Sequence, residues 1–323
     1  MSRFVVTGAY GWIGRYVSST LFKWGEEVLG IDKSRPNDLY SDLFYNADIR
    51  NVLTDDNNLM RFVQESVCLV HCAGLAHKVP RNEREEREFF DVNSTGTRNI
   101  IDLCNAASIP RIVYVSTISV YDWGSVLTQA DEESPVLLDN AYAKSKFEGE
   151  RFVRESGLDW RIARLATVYG AGDRANFWKL SSALKHRRFI LPGKGVARKS
   201  VLPITLAAKL LVRMAMQEEV VHRIINIALL KSPDLREIVQ AFCEQCGFKT
   251  PMSLPVPVLS GLGLCGDLLS RFFSDFPFTS TSLSKLIQDT VVSTARMQES
   301  LGSFDYGSFA DNLSESVSYY QDE

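Results

Sequence analysis

The sequence predicts an α/β fold: a doubly wound parallel sheet followed by a smaller α+β lobe. Three observations carry this. Short, nearly continuous apolar runs alternate with helix-like segments through the first half; a glycine-rich turn follows the first run; and the rhythm changes after about Leu165. Strands apolar on both sides belong to parallel sheets covered by helices on both faces. The strand candidates are "RFVVTG" (3–8), "EEVLGID" (26–32), "VCLVHCAG" (67–74), "RIVYVST" (111–117) and "DWRIARLA" (159–166). Helical patterns occupy roughly 12–24, 55–65, 85–107 and 140–156. Beyond them come a turn, "YGAGD" (169–173), a helix over 176–187 and the loop "FILPGKG" (189–195). An extended stretch near 200–203, a helix over 205–216 and a strand "RIINIA" (223–228) complete the pattern before a mostly helical remainder. We divide the chain into 1–166, the sheet-forming part, and 167–323, the smaller lobe, with the chain free to cross back.

The chain has 323 residues, 45% of them hydrophobic and 23% charged, with a net charge of −3. A chain of this size buries about three quarters of its unfolded surface, so neither metal nor disulfides are needed to hold it. The charge is near balance without a long single-sign block, which predicts neither a nucleic-acid partner nor an anionic membrane. The mixed-sign stretch from Arg81 to Glu88 reads as a solvated helix face. Six cysteines lie at 68, 72, 104, 243, 246 and 265. Cys243 and Cys246 have ligand-like spacing but no second pair, so no metal site is predicted. No charged-then-apolar leader precedes the first strand, and with the cysteine usage this predicts a reducing cytoplasm. The apolar-leaning run from Val256 to Phe273 is interrupted by Pro257, glycines, Asp267 and Arg271, so no membrane span is expected.

"TGAYGWIG" (7–14) places Gly8, Gly11 and Gly14 between a strand and a helix. Glycine lets the backbone turn sharply and approach a pyrophosphate, which the N–H groups of the helix N-terminus then receive. This makes 1–166 a Rossmann-like, dinucleotide-binding domain and leaves 167–323 as the substrate-binding lobe. Asp32 ends the second strand, where a carboxylate accepts hydrogen bonds from ribose hydroxyls and repels a 2′-phosphate. NAD is therefore favoured over NADP, although Lys33 or Arg35 can pair with such a phosphate. "YAKSK" (142–146) opens a helix with Tyr142 and Lys146 one turn apart on one face. An ammonium there lowers a phenol's pKa, making it a proton carrier for a carbinol while hydride moves to a nicotinamide.

These motifs, with "DIR" (48–50), "HCAG" (71–74), "NSTGTRNI" (93–100), "VSTISVY" (115–121) and "RLATVYGAGD" (164–173), resemble the extended short-chain dehydrogenases, the NAD-dependent epimerase/dehydratase group. The resemblance runs over nearly the whole chain and is densest up to Gly172. It implies Tyr142 as catalytic acid/base, Lys146 as its partner and nicotinamide-ribose contact, and Thr117 as a hydrogen-bonding partner of the reacting oxygen. It places Tyr10, Trp12, Ile13 and Ser116 at the cofactor, Asp48 and Ile49 beside the adenine, Ala73 and Gly74 along the dinucleotide, and Asn93 behind the site. Dehydratases of the group carry Asp-Glu after the position of Thr117; here stand Ile118 and Ser119, which do not titrate, so elimination is disfavoured. Within the group the chain is most similar to bacterial nucleotide-sugar 4-epimerases and 4-keto reductases.

On that resemblance "GLAHKV" (74–79), "GDRANFWKLSSAL" (172–184) and "GKGVARKSVLPI" (193–204) imply a UDP-sugar site contacted by Ser119, His77, Asn176, Phe177, Arg198 and Lys199. Two positions depart from the pattern: Thr167 stands for an asparagine, and Lys199 for an arginine whose bidentate fork a lysine lacks. Epimerisation at carbon 4 of a UDP-hexose or UDP-N-acetylhexosamine through a transient keto sugar is the first expectation, and NAD(P)H-dependent reduction of a 4-keto sugar the alternative. A non-catalytic dinucleotide sensor is a third, opposed by the presence of both Tyr142 and Lys146. The resemblance also implies a homodimer pairing through the helices over 85–107 and 140–156. His71 reads as a packing or hydrogen-bonding residue.

Overall fold

The computed structural model describes residues 1–34, 43–126, 128–269 and 279–322, with the side chains of 265, 268 and 269 left aside. Arg35 and the end of the Val256–Phe273 run lie outside the described residues. The first part runs β1 (Arg3–Thr7), α1 (Trp12–Lys23), β2 (Glu27–Asp32), β3 (Phe44–Asn46), α2 (Asn57–Val63), β4 (Cys68–His71), α3 (Glu83–Phe90), α4 (Gly96–Ala106), β5 (Arg111–Thr117), α5 (Ala141–Arg154) and β6 (Asp159–Leu165). Then follow β7 (Thr167–Tyr169), α6 (Asn176–Lys185), β8 (Leu191–Pro192), β9 (Val201–Pro203), α7 (Ile204–Met216), β10 (Ile224–Ile227), α8 (Leu235–Cys246) and β11 (Ser253–Leu254). The chain closes with α9 (Val256–Leu269), α10 (Ser280–Ile287), α11 (Ala295–Leu301), α12 (Phe309–Leu313) and α13 (Val317–Asp322).

Seven strands form one sheet in the order β10-β6-β5-β4-β1-β2-β3, each neighbouring pair parallel. Alternation along each strand divides the core in two. Val6, Val70, Val113 and Val115 join one cluster with α1 and α7, while Val5, Leu69, Ile112 and Tyr114 join the other with α2 and α4. Apolar residues on both strand faces thus build two cores, the physical content of a doubly wound sheet. Strand order reverses between β1 and β4, and ligands of such sheets bind outside the carboxyl ends at that point.

Beyond β6 the chain alternates between the second lobe and the sheet. The short ladders β7–β9 and β8–β11 belong to the lobe, whereas β10 returns to pair with β6 in register Ile224↔Ile162 to Ile227↔Leu165. The end of α7 is fixed by two arginines of the sheet. Arg161, fully buried, bonds the carbonyls of Met214, Gln217 and Glu218, and Arg111 those of Ala215 and Glu218. Both also bond Asp159 Oδ2, at 2.9 and 2.6 Å. The first of the two cores continues into an aromatic group: Tyr169, Phe177, Phe242, Phe309 and Tyr320 pack with ring centroids 4.7–6.3 Å apart.

The expected helix over 85–107 is not one helix. Between α3 and α4 the residues Asp91–Thr95 form a π-helical turn. Gly96 follows because a Cβ there would stand 2.7 Å from Ile49 Cδ1. Among the described residues no helix is long and apolar enough to cross a membrane, and no group of three His, Cys, Asp or Glu side chains is placed to hold a metal.

Candidate active site

A cavity of roughly 360 Å³ opens at the switch between β1 and β4. Of the residues expected at the cofactor, Gly8, Tyr10, Gly11, Asp32, Lys33, Asp48, Ile49, Ala73 and Gly74 line it. Gly8 has φ +64°, and a Cβ there would stand 2.7 Å from Ala73 Cα. A Cβ on Gly14 would stand 2.0 Å from the Gly8 carbonyl oxygen. Both positions exclude any side chain. Helix α1 starts after Gly11 with no side chain capping its first turn, so backbone donors and the dipole face the cavity. The Asp32 carboxylate is oriented by Tyr10 N–H at 3.0 Å and Ser34 N–H at 3.3 Å. Asp48 is ion-paired with Arg50, which holds its carboxyl below the usual range. Asn99 fixes Ile49 by donating to its carbonyl at 2.8 Å. A glycine cradle at a helix N-terminus, followed by a carboxylate at the end of β2, fits NAD.

Trp12 and Tyr16 donate to the Ala171 carbonyl at 2.8 and 3.2 Å, tying the glycine loop to the loop after β7. Trp12 thus bridges the two lobes, and Ile13 is half-buried against the core. Asn93, in the π-helical turn, is fully buried. Its amide donates to Leu75 O and Ser145 Oγ at 3.0 Å each, and its oxygen accepts from Leu75 N at 2.8 Å. It clamps the chain after Gly74 to α5.

Asn140 caps α5 by accepting from Ala143 N at 2.9 Å. The helix presents Tyr142 and Lys146 towards the end of β5. Thr117 lies near enough to the Tyr142 phenol to lower its pKa and accepts from Ser119 N at 3.1 Å. Lys146 Nζ lies 4.1 Å from the centre of the Tyr114 ring and close to Gly74, whose Cβ position is 3.7 Å away. Thr117 and Tyr142 thus lie side by side, and Lys146 reaches the cavity wall at Gly74, although none of the three lines the cavity itself. Their electrostatics differ from the expectation. Burial raises the Tyr142 phenol and Thr117 lowers it, while Lys146 is not among its influences. Burial also pulls Lys146 down to about 7, against the opposing pull of Glu150. Spacing on a helix reports proximity; it does not report the loss of water that both groups suffer.

Other expected residues have different surroundings. Ser116 donates to Glu150 Oε1 at 2.6 Å, beneath the sheet's end. Phe177 is a member of the aromatic core, and Asn176 is exposed at the start of α6. Ser119 is exposed. His77, in the left-handed region at φ +59°, is lowered by burial and raised by Asp173. Arg198 pairs with Asp289 at 3.2 Å. Lys199 Nζ donates to the Lys285 carbonyl at 2.8 Å and to that of Gln288, terminating α10, and burial lowers it to about 8. His71 is buried between the hydroxyls of Thr7 and Thr97, at 2.6 and 3.1 Å, and is held neutral with its pKa near 3.

Two features were not read from the sequence. Glu150, one turn beyond Lys146, is fully buried and accepts from Arg164 at 2.9 and 2.7 Å and from Arg154 at 2.9 Å. Asp173, also buried, accepts from the N–H groups of Ala175, Phe177 and Trp178 at 2.6–3.0 Å and so shapes the entry to α6. An acid four residues after the lysine, and an acid just before a helix, were the available signals.

The chain shares 23% identity over 274 residues with the N-acetyl-α-D-glucosaminyl-diphospho-ditrans,octacis-undecaprenol 4-epimerase of Escherichia coli O157:H7, covering 83% of this chain and 80% of that one. It is 29% identical over 203 residues to short-chain dehydrogenase/reductase family 42E member 1 of Xenopus laevis, covering 58% of this chain and 51% of that protein; this match thus spans about half the relative's length. Its fold superposes on that of UDP-N-acetylglucosamine 4-epimerase from Bacillus cereus with a TM-score of 0.75 at 22% identity, all of both chains being covered. The model of the NAD dependent epimerase/dehydratase family matches residues 4–228, and the chain belongs to that family.

Proposed function

We propose that the protein is an NAD-dependent nucleotide-sugar epimerase that inverts carbon 4 of a UDP-hexose or UDP-N-acetylhexosamine through a transient keto sugar. The observation that supports this reading is the pairing of Thr117 with Tyr142 at the end of β5, with Lys146 Nζ at Gly74 in the wall of the cavity. NAD, when bound, supplies the hydride acceptor and returns the hydride. Tyr142 takes the proton of the 4-hydroxyl as the carbon–oxygen double bond forms, and gives it back when the carbinol is restored on the opposite face. Thr117, beside that phenol, holds the reacting oxygen next to it. The Lys146 ammonium supports the negative charge that the Tyr142 oxygen carries before it takes the proton and again after it has returned it. Ile118 and Ser119 supply no second acid–base pair, which favours chemistry at a single carbon over elimination.

The relative from E. coli, matched over most of both chains, bears the name of a 4-epimerase for a hexosamine diphosphate carried on undecaprenol. It favours a second reading in which a polyprenol replaces uridine and the sugar chemistry is unchanged. Purified protein incubated with UDP-N-acetylglucosamine, UDP-glucose and a short-chain polyprenyl diphosphate N-acetylglucosamine distinguishes the two, with epimers resolved by chromatography. Tyr142→Phe is expected to lower turnover on the accepted substrate by about 10²–10⁴-fold with NAD binding retained. Turnover within threefold of the parent in that variant defeats the assignment.

A further inference from the structure

Helix α9 carries no charged residue from Val256 to Gly266. Leu259, Gly263 and Gly266 form its buried side, and Gly263 approaches α10 closely enough that a Cβ would stand 3.2 Å from Ser280 Cα. Its other sides are open: Val258 and Leu262 are 50% exposed and Leu264 67%. A helix apolar all round is ordinarily sealed inside a core or placed against lipid. Exposed apolar side chains continue onto the neighbouring β8–β11 ladder, where Met252 is 69% and Val196 67% exposed.

Contrary to the balanced charge expected from the sequence, cations outnumber acids around this surface, and the acid on α9 itself, Asp267, accepts from the Ser280 N–H at 3.0 Å. Ten lysines and arginines and no acid lie between Asp173 and Glu218, and one lysine and no acid between Cys246 and Asp267. Arg187, Arg188, Lys194 and Lys249 are exposed on the segments entering the ladder from which α9 departs. The nearby acids already have cations of their own: Asp289 pairs with Arg198 at 3.2 Å, Asp234 with Arg236 at 3.5 Å and Glu237 with Lys231 at 3.0 Å. In a chain of net charge −3, this is a positive island beside an uncovered apolar helix.

We propose that this face docks peripherally on an anionic lipid bilayer, with Val258, Leu262 and Leu264 below the headgroups and the four cations at the lipid phosphates. A bilayer offers a hydrocarbon phase and a negative surface together. A second copy meeting this face about a two-fold axis would instead set the cations against themselves. The proposal depends on no catalytic residue and on no choice of substrate.

Flotation of the full chain with vesicles tests it. Binding is expected to mixed phosphatidylglycerol/phosphatidylcholine vesicles, to weaken with added salt, and to be at least tenfold poorer on pure phosphatidylcholine. Leu262→Asp/Leu264→Asp is expected to abolish flotation, and Arg187→Gln and Lys194→Gln each to lower partitioning about fivefold. An unchanged melting temperature and an unchanged shift on adding NAD show that each variant is folded. Three outcomes overturn the proposal: no flotation of the parent chain on anionic vesicles at low salt, undiminished flotation of the double leucine variant, or self-association that this variant removes.

Discussion

At the scale of single residues, Lys146 shows what the site costs the fold. Its side chain is 4% exposed, its ammonium rests on the Tyr114 ring, and burial outweighs Glu150 to leave its pKa at about 7 rather than 10.5. An unfolded chain keeps the proton up to about pH 10.5, whereas the folded chain releases it near 7. The unfolded state thus binds more protons within that window, and stability rises with pH across it. Lys146→Met is expected to raise the melting temperature at pH 7 by roughly 2–6 °C, to flatten the gain in stability between pH 7 and 10, and to abolish turnover. Calorimetry over that pH range reads both effects, and a lower melting temperature in the variant contradicts the account. The sequence showed that Tyr142 and Lys146 share a helix face because one turn of helix is a fixed distance. It did not show that burial shifts both against their charged forms, since that depends on β4, β5 and the π-helical turn closing over them.

At the scale of elements, the strands legible in the sequence are those buried on both faces. β1, β2, β4, β5, β6 and β10 all fall within the expected runs. β3 is three residues long with the pattern Phe-Tyr-Asn, and β8 and β11 are two residues each; none is long enough to show a period. The break between α3 and α4 escaped for a different reason: its cause is tertiary. Asn93 must point at Leu75 and Ser145 while Gly96 slides under Ile49, and the extra residue of a π-helical turn accommodates both. Replacing Asn93 leaves the Leu75 N–H and carbonyl and the Ser145 hydroxyl without this partner. Asn93→Ala is expected to cost about 2–4 kcal/mol in urea unfolding and to weaken NAD binding at least fivefold, because the chain after Gly74 loses its anchor. A loss of stability with unchanged NAD affinity would assign Asn93 to the helix alone.

At the scale of the whole molecule, a buried polar network joins α5, which carries Tyr142 and Lys146, to the outer strands. Glu150 on α5 accepts from Ser116 on β5 and from Arg164 on β6. Arg164 donates onward to Tyr121 Oη at 3.0 Å, and Tyr121 to Asn226 on β10 at 2.6 Å. The Asn226 N–H donates to Glu132, which pairs with Arg296 on α11 at 3.5 Å. The chain thus leaves the sheet after β6, builds the lobe, returns as β10, and finds its place marked by hydrogen bonds rather than by apolar shape alone. Removing one charge of the central pair strands the other in the core, so Glu150→Leu and Arg164→Met are each expected to cost about 3–5 kcal/mol. The double variant replaces both with apolar groups of similar size and is expected to recover at least half of the summed loss. Recovery of stability should not bring back the catalytic pH dependence. Without Glu150 the Lys146 ammonium loses its one carboxylate support, so its pKa falls further and the loss of activity with rising pH begins at a lower pH than in the parent. Parallel urea unfolding and pH–rate profiles of the two single variants and the double variant separate the roles. A double variant as unstable as the sum of the singles contradicts the ion-pair account, and an unshifted alkaline limb removes Glu150 from the site.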